Sequence, residues 1–232
     1  MRILAFDATL GTLSVAYCDQ GAPEGSQLVE DTTVAAASHA ERLMPMIQGV
    51  LAKASVAFAD IDRVAISLGP GTFTGVRTGI AAARAFRLAA GTEVVGLTSL
   101  AVIAAQAFDS LAQERGHRPI LVVIDARRDR LYCQLFGDSP LNSLAGPAEL
   151  SPDDLVAFCG NRPCLAVGSG LLREDVMRTL AKSPIVMCKK LEALEPRAAD
   201  LAALAPRLTP LDVISPIYIR PPDAKPPSKP PL

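Results

Sequence analysis

The sequence predicts an α/β protein of two lobes in which one arrangement of strands and helices occurs twice. In the first half, an apolar run ends at Asp7 and a new strand pattern includes Leu13. In the second half, an apolar run ends at Asp125 and the next strand pattern includes Leu131, so each leucine lies six residues after its aspartate. An apolar run that stops at a turn and resumes after a short gap is typical of a β-hairpin.

A pair of glycine turns supports the same duplication. Residues 66–71 read Ile-Ser-Leu-Gly-Pro-Gly, and residues 165–170 read Leu-Ala-Val-Gly-Ser-Gly. Each run is strand-like, contains a Gly-x-Gly turn and precedes a helical pattern. Because the hairpin and the glycine turn recur in the same order, we expect a duplicated αβ unit.

The remaining elements follow from apolar periodicity and from the turn residues between periodic segments. In the first half we expect strands at 3–6, 13–18, 27–35, 64–68 and 94–97, and helices over 38–54, 71–90 and 99–114. In the second half we expect strands at 120–125, from 131 and at 165–167, helices over 171–181 and 197–208, and an extended segment over 213–219. The second unit is expected to be abbreviated between its hairpin and its glycine turn. We place an N-terminal lobe at 1–117, a C-terminal lobe at 118–220 and a disordered proline-rich tail at 221–232.

The start of the helix over 38–54 carries two signals. Ser38 and Glu41 have the spacing of a capping box, which would satisfy free amides at the helix start. Pro45 lies inside the helix and would clash with the carbonyl of Glu41, so we expect a kink or a late start.

The Gly-Pro-Gly turn predicts a strand, a sharp reversal and a helix N-terminus. Pro70 cannot donate to a β-ladder, and its flanking glycines permit the reversal. Thr72 and Thr74 are both candidate N-caps. Amides at such a helix start could hold an anion. A nucleotide P-loop is a poor fit because no Lys-Ser/Thr pair closes the glycine run.

The helix after this turn has two distinct faces. At 100° per residue, the arginine face carries Arg77, Arg84 and Leu88, and it should be solvated or directed at a partner. The opposite face consists of small residues and one phenylalanine, and it predicts a tightly packed helix: Gly75, Gly79, Ala82, Ala83, Phe86 and Ala90.

Composition limits the class of function. The 232 residues carry a net charge of −1 and no tryptophan, which argues against strong direct binding of nucleic acid. The five cysteines are scattered and form no Cys-x-x-Cys pair, so reduced thiols are expected. The sequence shows neither a signal peptide nor an apolar run of membrane-spanning length, so we expect a cytoplasmic protein that makes no membrane contact.

Two halves that each contain a strand–Asp–turn–strand unit and a glycine turn resemble the actin, sugar-kinase and chaperone ATPase (ASKHA) superfamily. This resemblance implies a duplicated actin-like, ribonuclease H-like fold with a nucleotide cleft between the halves. Several motifs resemble the TsaB (YeaZ) family more closely. They lie at 7–9, 38–45, 69–79, 125–128 and 216–221, and the Gly-Pro-Gly-Thr-Phe-Thr-Gly-Val-Arg run is the most specific of them.

The TsaB resemblance implies a non-catalytic scaffold subunit of the complex that forms threonylcarbamoyladenosine in tRNA. It implies pairing with the catalytic paralogue TsaD and the ATPase TsaE, a homodimer when the chain is alone, and contact with tRNA only through the complex. No cofactor is expected in the isolated chain, and ATP or ADP is expected only with partners present. The implied partner interface is a bundle of the helices after His39 and Gly71, with these residues: His39, Arg42, Met46, Thr74, Gly75, Arg77, Thr78, Gly79 and Ala82.

The histidines predict no metal site. The catalytic paralogue binds its metal through a His-x-x-x-His pair on one helix face, whereas here His39 is followed four residues later by Leu43. The other histidine, His117, lies at the junction between the halves. A metallopeptidase is therefore disfavoured, and we expect His39 to be a helix-start or interface residue.

The first hairpin predicts at most a vestigial phosphate site. The superfamily has Gly-Thr after its first aspartate, whereas this chain has Ala8 after Asp7. A turn-capping role for Asp7 is favoured, although a shifted glycine could compensate. In the second hairpin, an arginine cluster could bind phosphate or form a solvated turn. The candidate phosphate residues are Asp7, Thr9, Gly11, Thr12 and Arg127.

The alternative function is an ATP-dependent phosphotransferase of the sugar-kinase type. It would need both phosphate hairpins and a catalytic aspartate in the cleft.

Overall fold

The computed structural model describes residues 1–22, 27–34 and 38–219, and it contains two five-stranded sheets. The first unit consists of β1 (Arg2–Asp7), β2 (Thr12–Asp19), β3 (Gln27–Val34), α1 (His39–Ala54), β4 (Arg63–Ser67), α2 (Phe73–Ala90), β5 (Glu93–Leu97) and α3 (Ser99–Ser110). The second consists of β6 (Ile120–Asp125), β7 (Leu131–Phe136), β8 (Ser143–Leu150), α4 (Leu155–Phe158), β9 (Cys164–Val167), α5 (Glu174–Leu180), β10 (Ile185–Met187) and α6 (Ala198–Leu204).

The two sheets have equivalent strand orders, β3-β2-β1-β4-β5 and β8-β7-β6-β9-β10. In each sheet, the three strands that come first in the chain pair in antiparallel fashion. The two later strands run parallel to the central strand, which is β1 or β6. The predicted two-lobed α/β fold with an internal duplication is therefore confirmed. Among the described residues, no helix combines the length and apolar character needed to cross a membrane.

The two hairpins differ by one residue in register. Asp7 pairs with Ser14, whereas Asp125 pairs with Leu131. The first turn is thus one residue longer, and Leu13 is not the structural equivalent of Leu131.

The helices divide into layers on either side of the sheets. On the first sheet, α1 and α2 cover the face that carries Leu4 and Phe6, and α6 covers the face that carries Ile3 and Ala5. The apolar side chains of α3 pack mainly on the second sheet, while Val102 reaches the first. Helix α3 therefore lies between the two sheets.

Several boundaries differ from the prediction. Ser38 makes no capping hydrogen bond through its side chain, so the expected capping box does not form, and α1 begins at His39 with Pro45 inside it. The second unit keeps the same order of elements, but its interval between hairpin and glycine turn is shorter, since α4 has 4 residues where α1 has 16. Helix α3 ends at Ser110, and α6 gives way to a 3-10 turn at Ala205–Arg207. The predicted tail at 221–232 lies outside the described residues.

The chain crosses back to the first sheet near its end. Ala198, Leu201 and Ala202 of α6 pack in a cluster with residues of β1 and β2. The segment 208–219 then runs along β5 and α2, where the amide of Leu211 donates to the Val94 carbonyl at 2.8 Å. A boundary at 118 therefore separates the two sheets but not the elements that complete the first lobe.

Candidate functional site

An apolar groove lies between α1 and α2. It has a volume of about 310 Å³, and its exposed rim includes Met44 and Phe58, which are 40% and 37% exposed. Phe86 lies beneath, with its ring centroid 5.5 Å from that of Phe58. The other lining residues are small: Ala59, Ala82, Ala85, Ala89 and Ala90. Uncovered apolar surface of this kind favours contact with another protein.

The residues predicted for the partner interface have different environments. Ala82 lines the groove. Gly79 is itself buried, but a Cβ atom added to it would meet nothing within 4 Å, so there is room for a small side chain at this point of the helix. Met46 is half-buried against the core of the first lobe, and it is Met44 that lines the groove.

Three predicted interface residues are buried within the chain, namely His39, Gly75 and Gly79. His39 is 6% exposed, and Gly75 lies against the Ala8 carbonyl, so neither offers a partner appreciable surface. The exposed predicted residues lie near the start of each helix. Arg42 donates to the Thr33 hydroxyl at 3.1 Å, and the Thr78 hydroxyl donates to the backbone carbonyl of the exposed Thr74 at 2.9 Å.

The Gly-Pro-Gly turn packs against the first hairpin. The Thr72 amide donates to the Thr9 carbonyl at 2.7 Å, and the Thr72 side chain caps α2 by accepting from the Gly75 amide. A Cβ on Gly71 or Gly75 would overlap the carbonyl oxygens of Thr9 or Ala8. The absence of a side chain at these two glycines therefore allows the start of α2 to pack closely against the turn after β1. The Thr72 and Gly75 amides at the start of α2 are used in these contacts, and the anion site that the sequence suggests there stays a prediction.

The arginine face of α2 holds the end of the described chain. The guanidinium of Arg84 donates to the Ile214 carbonyl at 3.0 and 2.6 Å, and Arg87 donates to the carbonyls of Leu211 and Asp212. Arg77 donates to the Tyr218 hydroxyl. This face was expected to be solvated or directed at a partner, but it binds the segment 208–219 of its own chain.

Asp7 is a buried turn-capping residue, as the favoured interpretation predicts. Its Oδ1 accepts the Thr9 amide at 2.9 Å, and the Thr9 hydroxyl lies 3.1 and 3.0 Å from the two carboxylate oxygens. Burial raises the pKa of Asp7 to about 6, against the opposing effect of its hydrogen bonds. The Asp7 carboxylate faces its own turn.

Glu195 reaches the first hairpin from the far end of the chain. Its Oε2 accepts the Gly11 amide at 3.1 Å. Burial raises the pKa of Glu195, while the amides of Gly11 and Thr12 and the charge of His39 lower it. A carboxylate therefore lies at the turn where the sequence predicted a vestigial phosphate site.

The second hairpin repeats the turn of the first. The Arg127 amide donates to Asp125 Oδ1 at 3.1 Å, as Thr9 does to Asp7. Three consecutive residues, Arg127 to Asp129, have positive φ angles of 61°, 50° and 59°. Arg173 pairs with Asp125 at 3.1 Å. The candidate Arg127 thus lies in a turn whose aspartate already has a cationic partner.

Across residues 1–22, 27–34 and 38–219, no three His, Cys, Asp or Glu side chains are grouped closely enough to hold a metal ion. Leu43, four residues after His39, is a core residue with 1% exposure. Sequence reasoning missed Phe58 in the groove and Glu195 at the hairpin. It offers both Met44 and Met46 as exposed methionines of the interface helix, because both flank the apolar stripe of α1.

Comparisons with known proteins agree on one family. A sequence model of the family TsaD, tRNA N6-adenosine threonylcarbamoyltransferase, matches residues 32–160, more than half of the chain. An uncharacterised protein of Mycobacterium leprae is 32% identical over 97% of this chain, and the match spans only 56% of that protein's length.

Two further relatives carry the family name. The tRNA threonylcarbamoyladenosine biosynthesis protein TsaB of Escherichia coli is 33% identical over 57% of this chain and 53% of its own length. The structure of YeaZ from Pseudomonas aeruginosa superposes with a TM-score of 0.76 at 26% identity, covering 94% of this chain and 99% of that one. Together with the duplicated fold, these matches show that the chain belongs to the TsaB (YeaZ) family, within the wider family described by the TsaD model.

Proposed function

We propose that this protein is a non-catalytic subunit of the machinery that makes threonylcarbamoyladenosine in tRNA, and that it acts by binding a TsaD-type paralogue. The observation that carries the proposal is the uncovered apolar groove between α1 and α2. Family membership supplies the pathway, since the E. coli relative is named for the biosynthesis of this nucleoside.

The groove has the composition expected of an interface core. Met44 and Phe58 are flexible or aromatic anchors on the rim, and alanines allow another helix to approach closely. A paralogue with the same fold would present an equivalent helix pair, so the contact would be a four-helix bundle. A second copy of this chain could occupy the same face, and we propose the homodimer as the state without the paralogue.

The hairpins support a binding role over a catalytic one. The turn at Gly71 packs on Thr9, and the Glu195 carboxylate accepts the hydrogen bond of the Gly11 amide. Both contacts weigh against the sugar-kinase alternative, which needs an open phosphate turn. We place ATP or ADP only in the complete complex. The participation of a TsaE-type ATPase and the approach of tRNA through the paralogue rest on the family resemblance.

The test is a binding measurement with matched variants on one helix. Ala89 lines the groove, whereas the adjacent Leu88 is 89% exposed and lies beside the segment 212–214. The chain would be titrated with the TsaD-type paralogue from the same genome. We expect Ala89→Glu and Met44→Glu to weaken binding by at least about 30-fold, the effect of losing one interface hot spot. Leu88→Glu is the control and should bind like the wild type.

The folded state of each variant would be checked by circular dichroism. Unchanged binding by folded Ala89→Glu and Met44→Glu would refute the groove as the interface. Failure of the wild type itself to bind the paralogue would refute the proposed function.

A further inference from the structure

The turn between β1 and β2 already contains a carboxylate from its own chain. Glu195 Oε2 accepts the Gly11 amide at 3.1 Å across 184 residues of sequence. The other oxygen, Oε1, lies 3.5 Å from the point where a Cβ on Gly11 would stand. The carboxylate is thus in contact with the backbone of the turn.

Two hydrogen bonds to the backbone, one at Glu195 and one just after it, fix this arrangement. The side-chain amide of Gln106, on α3, donates to the Glu195 carbonyl at 2.7 Å. Three residues later, the Ala198 amide donates to the Ser14 hydroxyl at 3.0 Å. These bonds anchor the segment where the chain crosses from the second sheet to the first. The fold therefore positions Glu195 at the turn between β1 and β2.

The surroundings of the carboxylate contain donors suited to an oxyanion. The amides of Gly11 and Thr12 both favour the ionised form of Glu195. His39 is 6% exposed, its charge acts on Glu195, and its Nε2 is buried without a hydrogen-bond partner within the described part of the chain. A buried imidazole nitrogen without a partner is costly unless a ligand satisfies it.

We propose that this turn is an oxyanion site whose resident ligand is the Glu195 carboxylate, and that it accepts a phosphate group only when that carboxylate is withdrawn. A carboxylate and a phosphate present the same kind of acceptor oxygens to backbone amides. Both are negatively charged, so they cannot share the turn without strong repulsion. The buried Asp7 adds to this repulsion. The inference does not depend on the partner-binding function proposed above.

The experiment compares phosphate binding by the wild type and Glu195→Ala at one pH, using calorimetry with inorganic phosphate and, separately, with magnesium ATP. We expect Glu195→Ala to bind inorganic phosphate at least about tenfold more tightly than the wild type. Glu195→Gln should bind phosphate as weakly as the wild type, because its amide oxygen can still accept the hydrogen bond from the Gly11 amide. Glu192→Ala removes a nearby carboxylate and should behave like the wild type.

Two further measurements keep the test decisive. If Glu195→Ala does not fold, Glu195→Asp retains the charge but shortens the side chain by one methylene, and it should gain a smaller affinity for phosphate. Binding should also shift the imidazole resonances of His39, which would locate the ligand in this turn.

Three results would overturn the proposal. They are equal phosphate binding by the wild type and the folded variant, no phosphate binding by that variant, and a gain for ATP without a gain for inorganic phosphate. The last result would place the new contact on another part of the nucleotide.

Discussion

Arg77 donates from its Nε to the hydroxyl of Tyr218 at 2.8 Å and thereby joins the start of α2 to the end of the described chain. The same guanidinium lies 3.6 Å from the centroid of the Phe73 ring, which stacks on Tyr218 at 5.9 Å. These three side chains form one surface cluster, so we expect their contributions to stability to be coupled.

A double-mutant cycle tests that coupling. Arg77→Ala removes both the hydrogen bond and the cation–π contact, and Tyr218→Phe removes only the hydroxyl. We expect each variant to lose about 0.5–1 kcal/mol in urea unfolding, with a smaller loss for Tyr218→Phe once Arg77 is absent. Strictly additive losses would contradict the cluster.

Gly75 and Gly79 provide a matched pair on the same helix. A Cβ on Gly75 would overlap the Ala8 carbonyl, whereas a Cβ on Gly79 would meet nothing within 4 Å. Gly75→Ala should therefore destabilise the monomer by about 3 kcal/mol, because backbone must move. Gly79→Ala should stabilise it by about 0.5–1 kcal/mol through helix propensity. Urea unfolding of both variants measures the difference, and equal effects would refute the close contact.

The raised pKa of Asp7 predicts a specific dependence of stability on pH. Its carboxyl has a pKa of about 6 in the folded protein and an ordinary value of 3.8. Between these values the folded state holds a proton that the unfolded state has lost, so this group favours folding less as pH rises from about 4 to 6. Above about pH 6 the ionised Asp7 lowers the free energy of unfolding by its full amount, up to about 3 kcal/mol.

Asp7→Asn should remove this dependence while keeping an oxygen that can accept the Thr9 amide. The variant should match the wild type near pH 4 and exceed its free energy of unfolding near pH 7.5. Urea titrations of both proteins at the two pH values provide the comparison. The measurements at about pH 4, where the two proteins should agree, are the internal control. A variant less stable than the wild type at pH 7.5 would show that the ionised Asp7 is favourable.

The cysteine thiols should react slowly in the folded protein. The sulfur atoms of Cys159 and Cys164 are buried 3.7 Å apart, and burial raises the pKa of the Cys133 thiol. Cys188 is the cysteine with partial exposure, although burial also raises its pKa. We expect an aromatic disulfide reagent to titrate at most one thiol in native protein and all five in denaturant. Cys188→Ser should remove the native reaction, and rapid reaction of two or more native thiols would contradict this burial.

The duplicated fold could be predicted because its signals are local. Strand patterns that end at Asp7 and Asp125 reveal two hairpins from short stretches of sequence. The register shift between them depends on one extra turn residue, which spacing alone does not reveal. Strand β8 was missed because Gly146 and Pro147 interrupt it and resemble a turn.

The groove was only partly predictable for a geometric reason. Met44 and Met46 flank the apolar stripe of α1 on opposite sides, at nearly equal angles. The sequence does not reveal which flank α2 will occupy, so both methionines are candidates, and the structure places Met44 in the groove. Contacts between distant segments had no local signal. They include Glu195 at Gly11 and Arg84 at Ile214.

The return of α6 to the first sheet sets the order in which a newly made chain can finish folding. The ribosome delivers β1 first and α6 nearly last, with the whole second sheet made in between. Until Leu201 and Ala202 emerge, the face of the first sheet that carries Ile3 and Ala5 lacks its covering helix. Nascent chains stalled before residue 198 should therefore expose an aggregation-prone apolar surface. They should depend on chaperones for solubility more than released chains do.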